Sequence, residues 1–374
     1  MARRIFFTGG GTAGHVTPNI ALIEHLQKGD WDIAYVGSSA GIEQTLVSQL
    51  EIPFYSISTG KLRRYFDWNN FLDPLKIIWG TLQSIFLCLK YRPNIVFSKG
   101  GFVAVPLVVG AWLCRVPVIC HESDLTPGLA NKLCFPFCRY VCVNFEQTRQ
   151  FIPKKSRHKV KVTGSPVRES LLSGNAVAGR SFLGFTDSKP VLLIFGGSLG
   201  ARVINDCIRE SIPELVKNYQ VIHVVGEGNV VTGEDNGNQP HQQKEYQQKE
   251  YQQKEYQQKE YLHQEFGDVL TAAHVVISRA GANSIYELLL TRTPHILVPL
   301  SLRSSRGDQI KNASLFEAEG MSLVIQEEAL NPDNLLSTLG RLEKTRDTQV
   351  TALRRFHVKD SVALITDLLD QTAR

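Results

Sequence analysis

Ile5-Phe6-Phe7-Thr8-Gly9-Gly10-Gly11-Thr12-Ala13-Gly14-His15 decides how the rest of the chain is read. Four residues of apolar, β-favouring sequence run straight into a glycine cluster that satisfies the G-x-G-x-x-G pattern. This predicts a buried strand, a tight turn and a helix opening near Thr17-Pro18. Such a turn lets backbone N–H groups come close to a phosphate or a sugar. The device recurs in the second half. Residues 190–195 lead into Gly196-Gly197-Ser198-Leu199-Gly200-Ala201-Arg202, where the Ser198 hydroxyl and a helix N-terminus suit a diphosphate, with a dipole contribution of about 0.3–2 kcal/mol.

Around these two anchors, short apolar runs (5–8, 33–36, 95–98, 116–120 and 140–144) alternate with helical patterns, and a second series follows at 190–195, 221–225, 275–278 and 295–299. That rhythm means βαβ units and parallel sheets in two α/β halves. The expected domains are 1–163 and 164–345, with a cleft between them and a closing helix in 346–374 that packs back on the first. With 374 residues, 43% hydrophobic and 21% charged, the chain has the balance of a soluble globular protein with about two cores.

The apolar stretch at the N-terminus is too short for a signal peptide. Seven cysteines without a CxxC pair point to a reducing compartment. Cys134, Cys138 and Cys142 recur every four residues, but Pro136 interrupts the run and no histidine completes a ligand set, so buried thiols are expected there. A nicotinamide dinucleotide site wants an acidic residue at the end of the second strand, and residues 34–39 have none, which weighs against an oxidoreductase.

Residues 60–92 carry six basic residues against Asp67 and Asp73. Leu72, Leu75, Trp79, Leu82, Phe86 and Leu89 fall at three- and four-residue spacings beside the loop residues Arg63, Arg64, Tyr65, Phe66 and Trp68. The helix either faces its own core or docks on a membrane surface, and periodicity leaves both open; the basic aromatic loop favours docking. Charges within the stretch argue against a transmembrane span. From 242 to 261 the pentapeptide Gln-Gln-Lys-Glu-Tyr occurs four times. This composition cannot bury a core, so it reads as a surface-loop insertion, disordered or transiently helical.

Further polar residues follow the expected strands. Ser278-Arg279-Ala280-Gly281-Ala282-Asn283-Ser284 is a third glycine turn, and Glu287 on its helix could hold both hydroxyls of a ribose, or merely complement a first-turn dipole. Gly164-Ser165-Pro166-Val167-Arg168 brings an arginine suited to a diphosphate. Glu122, Ser123 and Asp124 form one polar loop, and in the segment that begins Arg306-Gly307 the side chains of Asp308, Gln309 and Asn312 offer carboxylate and amide groups to sugar hydroxyls. His15 has the chemistry of a general base near neutrality, or serves as a structural histidine.

GGGTAGH (9–15), HESDLTPGLANK (121–132), GSPVR (164–168), GGSLGAR (196–202), SRAGANSIYE (278–287) and RGDQIKNA (306–313) together resemble the MurG family, in order and over nearly the whole chain apart from the repeats. The resemblance implies a GT-B fold and an inverting transfer of N-acetylglucosamine from UDP-N-acetylglucosamine to the C4 hydroxyl of undecaprenyl-diphospho-N-acetylmuramoyl-pentapeptide (lipid I), giving lipid II. It implies no cofactor and no metal, and no Asp-x-Asp pair is evident. The implied partners are UDP-N-acetylglucosamine, lipid I and the anionic lipids of the cytoplasmic membrane face, with no nucleic acid.

By the same resemblance Thr12, Ala13 and Gly14 touch the donor sugar and His15 is the base or positions the acceptor. Arg168 and Ser198 lie near the diphosphate, Leu262 beside the uracil, Ala282 and Asn283 near the phosphates, Glu287 on the ribose, and Gln309 on the sugar. Ala13 replaces a common glycine, Asp124 an asparagine, and Asp308 the first of two glutamines. A transferase with another lipid acceptor, a UDP-sugar epimerase and an inactive UDP binder are the rival readings.

Overall fold

The computed structural model describes residues 3–60, 69–185, 189–197, 200–231 and 255–373, with side chains of the helix beginning at Asn69 described from Asp73 onward. The chain divides into two compact units, Met1–Arg168 with Lys359–Arg374, and Glu169–Val358.

In the first unit, β1 (Arg3–Thr8), β2 (Trp31–Gly37), β3 (Phe54–Ser56), β4 (Ile95–Ser98), β5 (Val118–Glu122), β6 (Tyr140–Val143) and β7 (Val160–Val162) form one sheet among the described residues. Its order is β3-β2-β1-β4-β5-β6-β7, parallel throughout. Helices cover both faces, which is why β1 and β4 are continuous apolar runs rather than alternating ones. α1 (Thr17–Leu26) buries Leu22, Ile23 and Leu26 on one face, together with Ile5, Phe7 and Phe97. The closing helix Ser361–Thr372 adds Ile365 and Leu369 to that same cluster, and Arg3 pairs with Asp370 at 2.8 Å.

The other face takes α3 (Asn69–Tyr91) and α4 (Ala104–Leu113), reached after α2 (Ile42–Val47). The contact between α3 and α4 is made by small residues. Gly80, Ser84 and Cys88 are buried, and a Cβ on Gly110 would meet the Ser84 Cβ at 2.7 Å. The large apolar side chains of α3 therefore point outward: Leu75, Ile78, Trp79, Leu82, Phe86 and Leu89 are each more than half exposed. Of the two orientations that periodicity left open, the helix takes the one that does not face its own core. Arg63, Arg64, Tyr65, Phe66 and Trp68 lie outside the described residues, as does the Leu72 side chain. α4 and the next helix, α5 (Leu129–Cys134), add exposed Trp112, Leu113, Leu129 and Leu133. Among the described residues no helix is long and apolar enough to cross a membrane.

The second unit repeats the plan with β8 (Val191–Phe195), β9 (Gln220–Val224), β10 (Tyr256–Lys259), β11 (Ala273–Ser278), β12 (His295–Leu297) and β13 (Leu323–Val324). Their order is β10-β9-β8-β11-β12-β13, again all parallel. In both sheets the order reverses beside the first strand of the unit, between β1 and β4 and between β8 and β11. Loops leaving the carboxyl ends of those strands are where open α/β sheets bind ligands.

β10 corrects the reading of the repeats. The tyrosine that ends the third copy and the first three residues of the fourth form an edge strand, not a disordered loop, while residues 242–254 lie outside the described residues. An edge strand needs only one inward apolar residue in each stretch of alternation, and Tyr256 supplies it, fully buried with its hydroxyl 3.1 Å from His223 Nδ1. Its neighbours alternate sides: Gln258 reaches Arg209, whereas Gln257 donates to the Leu183 carbonyl and Lys259 lies over Phe182. Tyr256→Ala in a chain lacking residues 242–251, which retains a single copy of the strand sequence, is expected to cost about 3 kcal/mol. Chemical denaturation of the two deletion proteins checks this.

The seven cysteines are free, and six are buried. Burial pushes the Cys142 and Cys88 thiols up to about 12.

Candidate active site

At the carboxyl end of β1 the chain turns through Gly9, Gly10 and Gly11 and enters a 3₁₀ turn, Ala13–His15, before α1 begins at Thr17. The turn is held from several sides. Tyr35 Oη donates to the Gly9 carbonyl at 2.7 Å, and Asn19 Nδ2 donates to the Thr8 carbonyl at 3.2 Å. A second glycine turn follows β4, and its Gly101, at φ +80°, approaches so closely that a Cβ there would lie 2.3 Å from the Gly10 oxygen. Glu43 closes the remaining side. Its carboxylate is fully buried and accepts from Ser38 N–H at 3.0 Å and from Gly11 N–H at 3.3 Å.

The acid sought at residues 34–39 is thus absent there, but a carboxylate does return to the tip of β2 from the following helix. Because Glu43 is buried and committed to Ser38 and Gly11, it is not presented to a ribose. Composition and spacing gave no way to single it out, since its partners, the Ser38 N–H and hydroxyl and the Gly11 N–H, are brought together by the fold.

His15 is half-buried, with Nδ1 3.2 Å from the Gly10 carbonyl oxygen and 3.1 Å from Thr12 Oγ1. A carbonyl oxygen only accepts, so Nδ1 carries the proton in this contact and Nε2 is the proton-accepting nitrogen. Thr12 and Gly14 are exposed and Ala13 is half-buried, on the same turn.

After β5 the chain is organised by Glu122. Its carboxylate accepts from Asp124 N–H at 3.0 Å, Gly128 N–H at 2.9 Å and Asn131 Nδ2 at 2.9 Å, leaving Asp124 half-buried on the loop it shapes. Lys99, at the end of β4, is buried and donates to Ser123 Oγ. Burial lowers its ammonium to about 8, against the pull of Glu122 and Asp124. His121 is buried with Nε2 2.9 Å from the Gly164 carbonyl, and burial, then Lys99, hold it well below the usual imidazole range. Lys99 belongs to no pattern that sequence reading uses. Arg168 ends this unit, half-buried.

In the second unit, Gly197 and Gly200 take φ values of +100° and +73°, and a Cβ on Gly200 would lie 2.0 Å from the Val225 oxygen. The helix Arg202–Asn218 follows, its N-cap residue Ala201 making no side-chain cap. Ser198 lies outside the described residues. After β11, Gly281 caps the helix Ala282–Thr291, again without a side-chain cap. Ala282 is buried, and Asn283 and Glu287 are half-buried. Glu287 lies in the second turn, beyond the first-turn reach of the helix dipole, which removes the simple dipole explanation for it.

The loop beyond β12 is tied down from both ends. Gln309 Oε1 accepts from Leu300 N–H at 3.1 Å, and the buried Asn312 donates to the Ala280 carbonyl at 3.2 Å. Asn312 is therefore a brace between two loops instead of a group offered to a sugar. Asp308 and Gln309 stand in the first turn of the helix Asp308–Ala318, with Asp308 3.8 Å from Arg306. Leu262 follows β10 and is half-buried.

Arg279, whose role sequence reading missed, is buried and bonds Glu327 at 2.6 Å and the Val298 carbonyl at 3.2 Å. Burial raises the Glu327 carboxyl, but the Ser301 N–H and Arg279 outweigh it and leave it below the usual carboxylate range. An acid depressed in the folded state stabilises that state above its unfolded pKa and loses the contribution as pH falls through the folded value. The thermal midpoint is accordingly expected to drop below about pH 4.5 in the parent, and to drop less over that range in Glu327→Gln. That variant starts about 3 kcal/mol lower at neutral pH because Arg279 loses its partner. Calorimetry across pH 3–7 checks both.

Comparison with known proteins places this geometry. Residues 5–143 match the glycosyltransferase family 28 N-terminal domain, and residues 191–366 match the family 28 C-terminal domain. A Legionella pneumophila (strain Lens) protein named UDP-N-acetylglucosamine–N-acetylmuramyl-(pentapeptide) pyrophosphoryl-undecaprenol N-acetylglucosamine transferase is 46% identical over 100% of this chain and 98% of its own. A Clostridium tetani (strain Massachusetts / E88) protein of the same name is 46% identical over 99% and 98%. Among solved structures, Acinetobacter baumannii MurG aligns with TM-score 0.73 at 22% identity, over 99% of both chains. A UDP-GlcNAc 2-epimerase from Neisseria meningitidis aligns at 0.65 and 14%, over 98% and 99%, which is a likeness of fold alone. With two Rossmann-like units of the GT-B class and full-length identity of this order, the chain belongs to glycosyltransferase family 28 and, within it, to the MurG family of N-acetylglucosamine transferases.

Proposed function

We propose that this enzyme transfers N-acetylglucosamine from UDP-N-acetylglucosamine to the C4 hydroxyl of undecaprenyl-diphospho-N-acetylmuramoyl-pentapeptide, inverting the anomeric centre. The observation that carries the reading is the 46% identity to transferases of that name along the entire chain. In the second unit, the helices Arg202–Asn218 and Ala282–Thr291 begin without a side-chain cap, and their aligned N-terminal N–H groups and dipoles suit the diphosphate. Ser198, Ala282, Asn283 and Arg168 serve it, Leu262 the uracil, Glu287 the ribose hydroxyls, and Gln309 with Asp308 the sugar. In the first unit, Thr12, Ala13 and Gly14 meet the sugar, with Asp124 on the loop built by Glu122.

A single displacement requires a base for the acceptor hydroxyl and stabilisation of charge growing on the leaving diphosphate. His15 Nε2 takes the proton, while preorganised N–H donors and Arg168 meet the charge, each worth about 3–4 kcal/mol in comparable sites. The exposed apolar row of α3, with Lys76, Lys90 and Arg92 on the same segment, attaches the enzyme reversibly to the anionic cytoplasmic face of the membrane, where a polyprenyl-linked acceptor resides.

The test is transfer of labelled N-acetylglucosamine to a short-chain lipid I analogue. Product from the parent, and its loss with Glu287→Ala alongside weaker UDP binding, support the reading. UDP binding without transfer would turn the assignment toward another lipid acceptor, and conversion of donor without any acceptor toward an epimerase.

A further inference from the structure

Glu43 stands outside every motif, yet it is fully buried and receives three hydrogen bonds, from Ser38 N–H, Ser38 Oγ and Gly11 N–H. Among the described residues it has no cationic partner in an ion pair. Room for its carboxylate is kept by two glycines: a Cβ on Gly10 would lie 2.5 Å from the carboxylate, and one on Gly41 2.2 Å from its oxygens. A buried charge without a counter-ion is costly, and persists only where several donors hold it.

What those donors connect is informative. The N–H of Gly11 and the C=O of Gly10 belong to one planar, conjugated peptide group. Glu43 accepts from its N–H, and His15 Nδ1 lies 3.2 Å from its oxygen. An acceptor on the N–H side polarises the peptide and makes the carbonyl a better acceptor, so the two bonds reinforce one another. The same peptide is fixed laterally by Gly101 against the Gly10 oxygen and by Tyr35 on the preceding carbonyl. Thr12 Oγ1, 3.1 Å from Nδ1, is a second acceptor for the same proton.

We propose that Glu43 is a positioning residue for the transfer, acting through the Gly10–Gly11 peptide to hold His15 in the tautomer that carries its proton on Nδ1. This does across one peptide group what a directly bonded carboxylate does for a catalytic histidine. It rests on the reading of His15 as the base, and no atom of Glu43 touches substrate.

The experiment compares parent, Glu43→Gln and His15→Ala full-length proteins by ¹H–¹⁵N spectra of the imidazole and by steady-state kinetics. In the parent, His15 should show the Nδ1–H tautomer. In Glu43→Gln, which keeps the shape and removes the charge, a substantial Nε2–H population should appear. kcat should fall about tenfold, far less than the ~10⁴ lost when a directly bonded carboxylate is neutralised, while the donor KM stays within about twofold. A merely structural role would move neither the tautomer nor kcat selectively. Should Glu43→Gln fail to fold, Glu43→Asp withdraws the carboxylate from Gly11 and is read the same way, with the same tautomer change expected. A tautomer and kcat matching the parent overturn the proposal, and an inactive His15→Ala protein then leaves the base reading standing. An active His15→Ala protein overturns the base reading and the role of Glu43 with it.

Discussion

His15→Ala lowers the rate of transfer about 10²–10⁴-fold, the range a positioned general base contributes, and leaves the affinity for UDP-N-acetylglucosamine within about threefold, under 1 kcal/mol. The asymmetry follows from where the residue sits. His15 belongs to the first unit, on the turn after β1, whereas the groups proposed for the nucleotide follow β8, β11 and β12 in the second. The ring is half-buried, and Nδ1 contacts Gly10 and Thr12 of the turn it stands on, so its removal is expected to leave the apolar core intact. Single-turnover measurement with donor saturating separates the chemical step from binding. A rate within a few-fold of the parent would remove His15 from the chemistry and reduce it to a residue that shapes the turn.

The combined substitution Trp79→Glu, Leu82→Glu, Phe86→Glu abolishes binding to vesicles while leaving the fold and the turnover of a soluble acceptor analogue intact. Burying one such side chain contributes about 1.5–3 kcal/mol. Even with each only half inserted, three together account for about a thousandfold in partitioning. The fold is unaffected because α3 packs on α4 through Gly80, Ser84 and Cys88, and the three replaced residues are 59%, 51% and 62% exposed. Sedimentation with vesicles of pure phosphatidylcholine and of phosphatidylcholine with phosphatidylglycerol checks this. The parent should bind the anionic vesicles more tightly, by about 1 kcal/mol for each basic residue near the surface. Equal sedimentation of parent and variant would assign the apolar row to another partner.

Gly10 offers a sterically simpler check on the role of Glu43. Gly10→Ala leaves the backbone conformation accessible but puts a methyl where the Glu43 carboxylate lies, so it should reproduce the loss of kcat seen on neutralising Glu43.

The α/β rhythm, the two strand–glycine–helix devices and the family were legible from residue order, because a parallel strand covered on both faces must be an apolar run and a turn at its end must be glycine-rich. The short edge strands β3, β7, β10 and β13 were not. An edge strand has one neighbour and needs little apolar sequence, so Tyr256 alone suffices to seat a segment whose composition reads as loop. The direction α3 faces was undecidable from its periodicity, since a stripe of large apolar residues looks the same whether it meets a core or a membrane. It was settled by the small residues on the opposite side, whose purpose appears only once Gly110 and Pro106 of α4 are packed against them. The braces of the site, Glu43, Lys99, Arg279 and Asn312, carry no local pattern either. Each bonds to groups distant in the chain, and only the parallel order of the sheets brings Glu43 from the helix after β2 to Gly11, Lys99 from the end of β4 to Ser123 after β5, Arg279 after β11 to Glu327, and Asn312 from the helix after β12 to Ala280.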